Sequence, residues 1–133
     1  MPEMQPIAKK PSPETADEPG CMERILKELE TRYGLDEEQG MPLIESLATS
    51  LFDHSKELGA MLEELNPDKL HHMGHTIKGM LMNMGLTSEA QKAKELEELG
   101  TNGASPDALR TAAEALLKQT GQILAELPAS LPR

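Results

Sequence analysis

From Cys21 onward, apolar residues recur at helical spacing almost without interruption. Ile25, Leu26 and Leu29 mark a first short helix over Met22 to Arg32, with Gly34 as its C-terminal stop. Ile44, Leu47, Ala48, Leu51, Leu58, Met61, Leu62 and Leu65 form the i, i+3, i+4, i+7 stripe of a second, core-facing helix over about Pro42 to Leu65. Asn66-Pro67-Asp68 reads as an N-cap, a proline at the first helical position and an acid favoured by the helix dipole. The third helix runs from there to about Met84 and stops at Gly85. Ser88 with Gln91 suggests a capping box for a fourth helix that ends near Leu99, at Gly100. Ser105-Pro106-Asp107 repeats the capping pattern before a last helix carrying Leu109, Ala112, Ala113, Leu116, Ile123, Leu124 and Leu127. Nothing reads as a strand. Four substantial amphipathic helices with short connections predict an all-α fold, an antiparallel four-helix bundle with a short extra N-terminal helix.

Composition sets the limits of that bundle. Residues 1–20 hold five of the ten prolines, with little apolar content and no periodicity, so they read as a disordered arm. The bundle is expected over 21–128, with 129–133 as a tail. The arm lacks the continuous apolar core of a signal peptide, and no run is long enough to span a membrane. One cysteine, Cys21, allows no intrachain disulfide and fits a reducing compartment, which gives a cytoplasmic expectation. A formal charge of −10 without a basic patch argues against nucleic acid. Tyr33 and Phe52 are the only aromatic residues, so the core must be Leu, Met, Ala and Ile.

The third helix carries the candidate chemistry. At ~100° per residue, Leu70, Met73, Ile77, Met80, Leu81 and Met84 fall on one arc, while His71, His72, His75, Lys78, Gly79 and Met82 fall on the other. His75 therefore lies near the middle of the solvent-facing strip, with Lys78 at i+3 and Gly79 at i+4 as its surface neighbours. An exposed imidazole offers a neutral nucleophilic nitrogen near pH 7. Lys78 is a mobile cation able to reach an anionic group carried on that ring. Gly79, at a cost of about 0.5–1 kcal/mol in a helix interior, clears bulk beside His75, and Gly74 weakens the helix further. Met82 projects beside His75, where an exposed apolar residue suggests a partner contact.

The run His75-Thr76-Ile77-Lys78-Gly79-Met80-Leu81-Met82-Asn83-Met84-Gly85-Leu86 resembles the signature of histidine-containing phosphotransfer (HPt) domains. That signature is His, Ser/Thr, an aliphatic, Lys, Gly, several mostly small residues, an aliphatic and then Gly. The resemblance spans roughly Asp36 to Leu127. It implies a phosphoryl carrier of two-component phosphorelays, which accepts the group from one receiver-domain aspartate and passes it to another. It makes His75 the phosphorylation site, Lys78 the phosphate neighbour and Gly79 the access residue. It also places Glu97, 22 residues after His75, where a polar side chain holds the other ring nitrogen and fixes the tautomer. The expected partners are the receiver of a hybrid kinase and a response regulator, met by a monomer through a surface that includes His71, His72 and Met82. No cofactor is expected on this chain, because Mg²⁺ would belong to the receiver. No autonomous kinase activity is expected either, since the chain has no P-loop or comparable nucleotide motif.

Met80 and Leu81 depart from the signature, which has small residues there. Ala90, Ala93, Ala112 and Ala113 are the residues expected to make room for them. Two other readings stay open on the residues alone. One is a receiver-docking module that works without phosphorylation. The other is a small metal-binding bundle using the i, i+4 pair His71 and His75.

Overall fold

The structure, a computed structural model, describes residues 20–127. The expected arm, apart from Gly20, and the 129–133 tail lie outside the described residues. Five helices follow one another: α1 (Cys21–Tyr33), α2 (Glu37–Met61), α3 (Pro67–Asn83), α4 (Ala90–Thr101) and α5 (Pro106–Ala125). No strand occurs among the described residues. Connections of three to six residues force successive helices to run antiparallel. Helices α2 to α5 close a four-helix bundle in which α3 packs most extensively on α4, and α5 lies against both α2 and α4. Helix α1 leans on the start of α2.

The caps at α3 and α5 form as their sequences direct. Asn66 accepts from the Lys69 amide at 3.1 Å, and Ser105 accepts from the Ala108 amide at 3.2 Å. Each satisfies one of the orphan donors at a helix start, worth about 1 kcal/mol. Gly34, at φ 70°, ends α1 with its amide on the Glu30 carbonyl.

Two helix starts differ from expectation. Helix α2 begins at Glu37 rather than Pro42, because Asp36 and Gln39 form a reciprocal capping box with bonds of 2.8 and 3.0 Å. Pro42 is thus an interior proline, tolerated because it lies on the exposed face, where water can reach the carbonyl it leaves unpaired. The same helix stops at Met61, and the chain turns through Leu65, which takes a left-handed φ of 52°. Leu62 and Leu65 still pack against the core from that turn.

At α4, no Ser88–Gln91 box forms. Ser88 bonds Glu89 instead, and Glu89 receives a two-pronged contact from Arg24 of α1 at 2.6 and 2.7 Å. The helix also runs through Gly100 to Thr101.

The core is almost entirely aliphatic. Ile44, Leu51, Leu58, Leu70, Ile77, Leu81 and Leu96 are fully enclosed, as are Met84, Leu86 and Leu116. Truncating one such leucine to alanine costs about 2–5 kcal/mol in comparable cores. Leu81 shares this cluster with buried Ala90, Ala93 and Ala113, while Met80 and Ala112 are partly buried against it. Thr120, buried on α5, satisfies its hydroxyl on the Leu117 carbonyl at 3.1 Å.

Candidate functional site

Burial divides α3 broadly as its wheel predicts, except that His71, Lys78, Gly79 and Met80 are half-buried. Leu70, Met73, Ile77 and Leu81 enter the core, whereas His72, His75, Thr76 and Met82 face solvent. The His75 side chain is 66 % exposed. A Cβ added at Gly79 would meet nothing within 4 Å, so the surface beside the ring is open.

Across the α3–α4 seam, Glu97 joins the two polar neighbours. Its carboxylate stands 2.9 Å from His75 Nδ1 through Oε2 and 2.6 Å from Lys78 Nζ through Oε1. The hydrogen bond from Lys78 and, after it, that from His75 hold the Glu97 carboxyl below the usual carboxylate range, against an opposing effect of burial. Glu97 is therefore ionised at neutral pH and can only accept. The proton of a neutral His75 ring accordingly sits on Nδ1, and the lone pair on Nε2 points away from α4. Glu97 engages Nδ1 and leaves Nε2 uncovered.

The seam is tight for a reason the helical wheel does not contain. A Cβ at Gly74 would lie 2.8 Å from the Glu97 amide nitrogen and 2.9 Å from the Ala93 carbonyl oxygen. A Cβ at Gly100 would lie 2.7 Å from the Pro67 carbonyl oxygen and 2.9 Å from His71 Cβ. Both glycines let the two backbones touch, and the contact brings Glu97 within reach of α3. Sequence reasoning treated Gly74 as a weakness and Gly100 as a stop. A glycine inside a helix is costly, but Gly79 and Gly121 are equally helical and open, so the sequence alone did not single out Gly74 and Gly100.

The remaining candidates fall into two groups. His71 is half-buried, with Nδ1 3.0 Å from the Glu97 carbonyl and 2.8 Å from Thr101 Oγ1. His72 is exposed, with its ring edge-on to His71 at 5.3 Å between centroids, and flanks an open groove of about 620 Å³ between α2 and α3. His54 and Met61 face the same groove from α2. Met82, 47 % exposed, shares a smaller cleft of about 280 Å³ with Lys78 and Lys94. Sequence reasoning passed over both Thr101 and Lys94. No cluster of three or more His, Cys, Asp or Glu suited to a metal ion occurs among the described residues. None of the described helices is long and apolar enough to cross a membrane.

Comparison with curated proteins gave no match, and neither did comparison with solved structures. Among protein-family models, that of the Hpt domain matches residues 21–130, which takes in all five helices and the whole His75–Lys78–Glu97 constellation. The chain therefore belongs to the Hpt family, whose members serve phosphotransfer in two-component systems as phosphoryl carriers rather than kinases.

Proposed function

We propose that this chain relays a phosphoryl group between receiver-domain aspartates through Nε2 of His75. The observation that carries the proposal is the exposed His75 ring whose other nitrogen is engaged by ionised Glu97. In the accepting step, the Nε2 lone pair attacks the phosphorus of a receiver's aspartyl phosphate. The N–P bond forms as the P–O bond breaks, and the electron pair of that bond leaves with the aspartate carboxylate. The ring keeps its Nδ1 proton and gains positive charge, which the Glu97 carboxylate stabilises at 2.9 Å. Donation to the second receiver is the same step reversed, with a new aspartate as nucleophile. Lys78 lies one helical turn from His75 on a flexible stem, so it can leave Glu97 for the transferring oxygens once the ring itself carries charge.

The receiver docks, in this reading, over the open surface at Gly79, with Met82, His72 and the outer edge of His71 around it. Mg²⁺ belongs to the receiver, and this chain contributes the nucleophile, the carboxylate and the lysine as a cytoplasmic monomer. The proposal is tested by incubating the purified chain with a radiolabelled phospho-receiver, beside His75→Ala and His75→Gln. Acid-labile, base-stable label that disappears in both variants supports it. Label that persists in either variant, or its absence from the wild type across a panel of receivers, rejects it.

A further inference from the structure

Two histidines one turn apart on α3 grip the same residue of α4, one by its side chain and one by its backbone. His75 Nδ1 meets the Glu97 carboxylate, and His71 Nδ1 meets the Glu97 carbonyl at 3.0 Å. A carbonyl oxygen can only accept, so His71 carries its proton on Nδ1 and donates it. Thr101 completes the arrangement. Its hydroxyl donates to the same carbonyl at 3.1 Å and offers its oxygen to His71 Nδ1 at 2.8 Å. The interhelical bond is thus doubled by a side chain on α4 itself.

The glycine contacts and the histidine contact constrain different things. Gly74 and Gly100 set how closely the two backbones approach, whereas sliding and rotation of one helix on the other are separate freedoms. A directional hydrogen bond to one carbonyl resists both. Glu97 has little latitude, because its two oxygens must reach Nδ1 of His75 and Nζ of Lys78 together, at 2.9 and 2.6 Å. A shift of about 1 Å along α4 would break the geometry on which an oriented nucleophile depends.

We infer that His71 is a positioning residue for phosphoryl transfer: with Thr101, it locks the α3–α4 register that aims Glu97 at His75. The inference rests on the carrier reading, since it assigns His71 a task in that chemistry rather than a place on the docking surface alone. His71 acts through Glu97 and does not touch the reacting atoms.

The test compares full-length wild type with His71→Ala, His71→Asn and Thr101→Val. An asparagine amide can place a donor close to where Nδ1 stands, so it is the conservative replacement. Two readouts are taken on each protein: the rate of phosphoryl acceptance from a phospho-receiver, and the tautomer of the His75 ring from its nitrogen chemical shifts. His71→Ala is expected to slow acceptance by about tenfold, the lower range for loss of a supporting hydrogen bond around a reactive histidine. It should also move the His75 proton from Nδ1 toward Nε2. Thr101→Val should do the same more weakly, and His71→Asn should restore both readouts toward wild type. An unchanged His75 tautomer and rate in His71→Ala would overturn the inference. So would a folded His71→Asn as impaired as the alanine variant, because any need for the imidazole would then be for its bulk. The tautomer measurement requires no phosphorylation. A wild type that accepts no phosphoryl group would therefore sink the carrier reading while still reporting whether His71 orients His75.

Discussion

The Glu97 carboxylate lies between His75 Nδ1 and Lys78 Nζ, at 2.9 and 2.6 Å, so one acidic side chain of α4 organises both polar neighbours on α3. Replacing it isolates its contribution. Glu97→Gln keeps an acceptor for Nδ1 but removes the charge that offsets a cationic ring, and it places an amide near Lys78. Phosphoryl acceptance should fall by about ten- to a hundredfold with helix content unchanged, as read by transfer kinetics and circular dichroism. Wild-type rates in Glu97→Gln would show that the carboxylate is incidental.

The same residue gives a pH dependence with a definite sign. Its carboxyl is held below the usual carboxylate range, chiefly by Lys78 and then by His75. A group with a depressed folded-state value stabilises the fold above its unfolded value, and that contribution is lost as pH falls through the folded value. Melting temperature should therefore drop more between pH 6 and pH 3, on the order of the acidic range given for carboxylates, in wild type than in Glu97→Gln. Parallel curves for the two proteins would remove Glu97 from the acid response.

Gly79 and Gly74 should respond in opposite ways to alanine. At Gly79 the added methyl meets nothing, so Gly79→Ala should stabilise α3 by about 0.5–1 kcal/mol while slowing transfer by crowding the partner's approach. At Gly74 it would press within 2.9 Å of two α4 backbone atoms, and the helices must part. The cost there should be about 1–3 kcal/mol, with loss of the Glu97–His75 bond. Denaturant melts of both variants, with Gly121→Ala as an open-site control on α5, check the contrast.

The first turn of helix α1 is fastened by Arg24 on Glu89 and by the Cys21 amide on Glu126 at 2.8 Å. In that turn, burial first and Glu126 second push the Cys21 thiol up to about 11, so the thiolate is scarce at neutral pH. Arg24→Ala should loosen α1 by about 1 kcal/mol, at the upper end for a partly exposed ion pair. Cys21 should then react faster with a thiol reagent, because exposing the buried thiol outweighs losing the Arg24 cation that favours its thiolate, with little change in phosphoryl transfer. Equal labelling rates in the two proteins would mean that Arg24 does not hold α1 closed.

The bundle was legible in the sequence because its core positions repeat at helical spacing, and because Asn66-Pro67 and Ser105-Pro106 mark two helix starts unambiguously. Pro42 misled the reading of α2, since a proline looks like a first-turn residue until the Asp36–Gln39 box is seen to start the helix five residues earlier. Ser88 and Gln91 had the spacing of a cap, but Arg24, 64 residues from Ser88 in sequence, draws the adjacent Glu89 into an ion pair and the box does not form. His75, Lys78 and Gly79 lie within one turn and a half of a single helix, so local spacing was enough to group them. The α4 side of the site is another matter. The family resemblance placed Glu97 at the other ring nitrogen of His75, but that it also touches Lys78, and that His71 and Thr101 hold its carbonyl, depends on the register of two helices packed through Gly74 and Gly100. No local pattern encodes that register.

The state of the His75 ring after phosphorylation tests its role as phosphoryl carrier most directly. The chain, labelled with nitrogen-15 in its histidines, would be charged by a phospho-receiver and studied by phosphorus–nitrogen and proton–nitrogen correlation. Phosphorus is expected on Nε2 of His75, with the proton retained on Nδ1 beside Glu97. Phosphorus on Nδ1 of His75, or on His71 or His72, would contradict it.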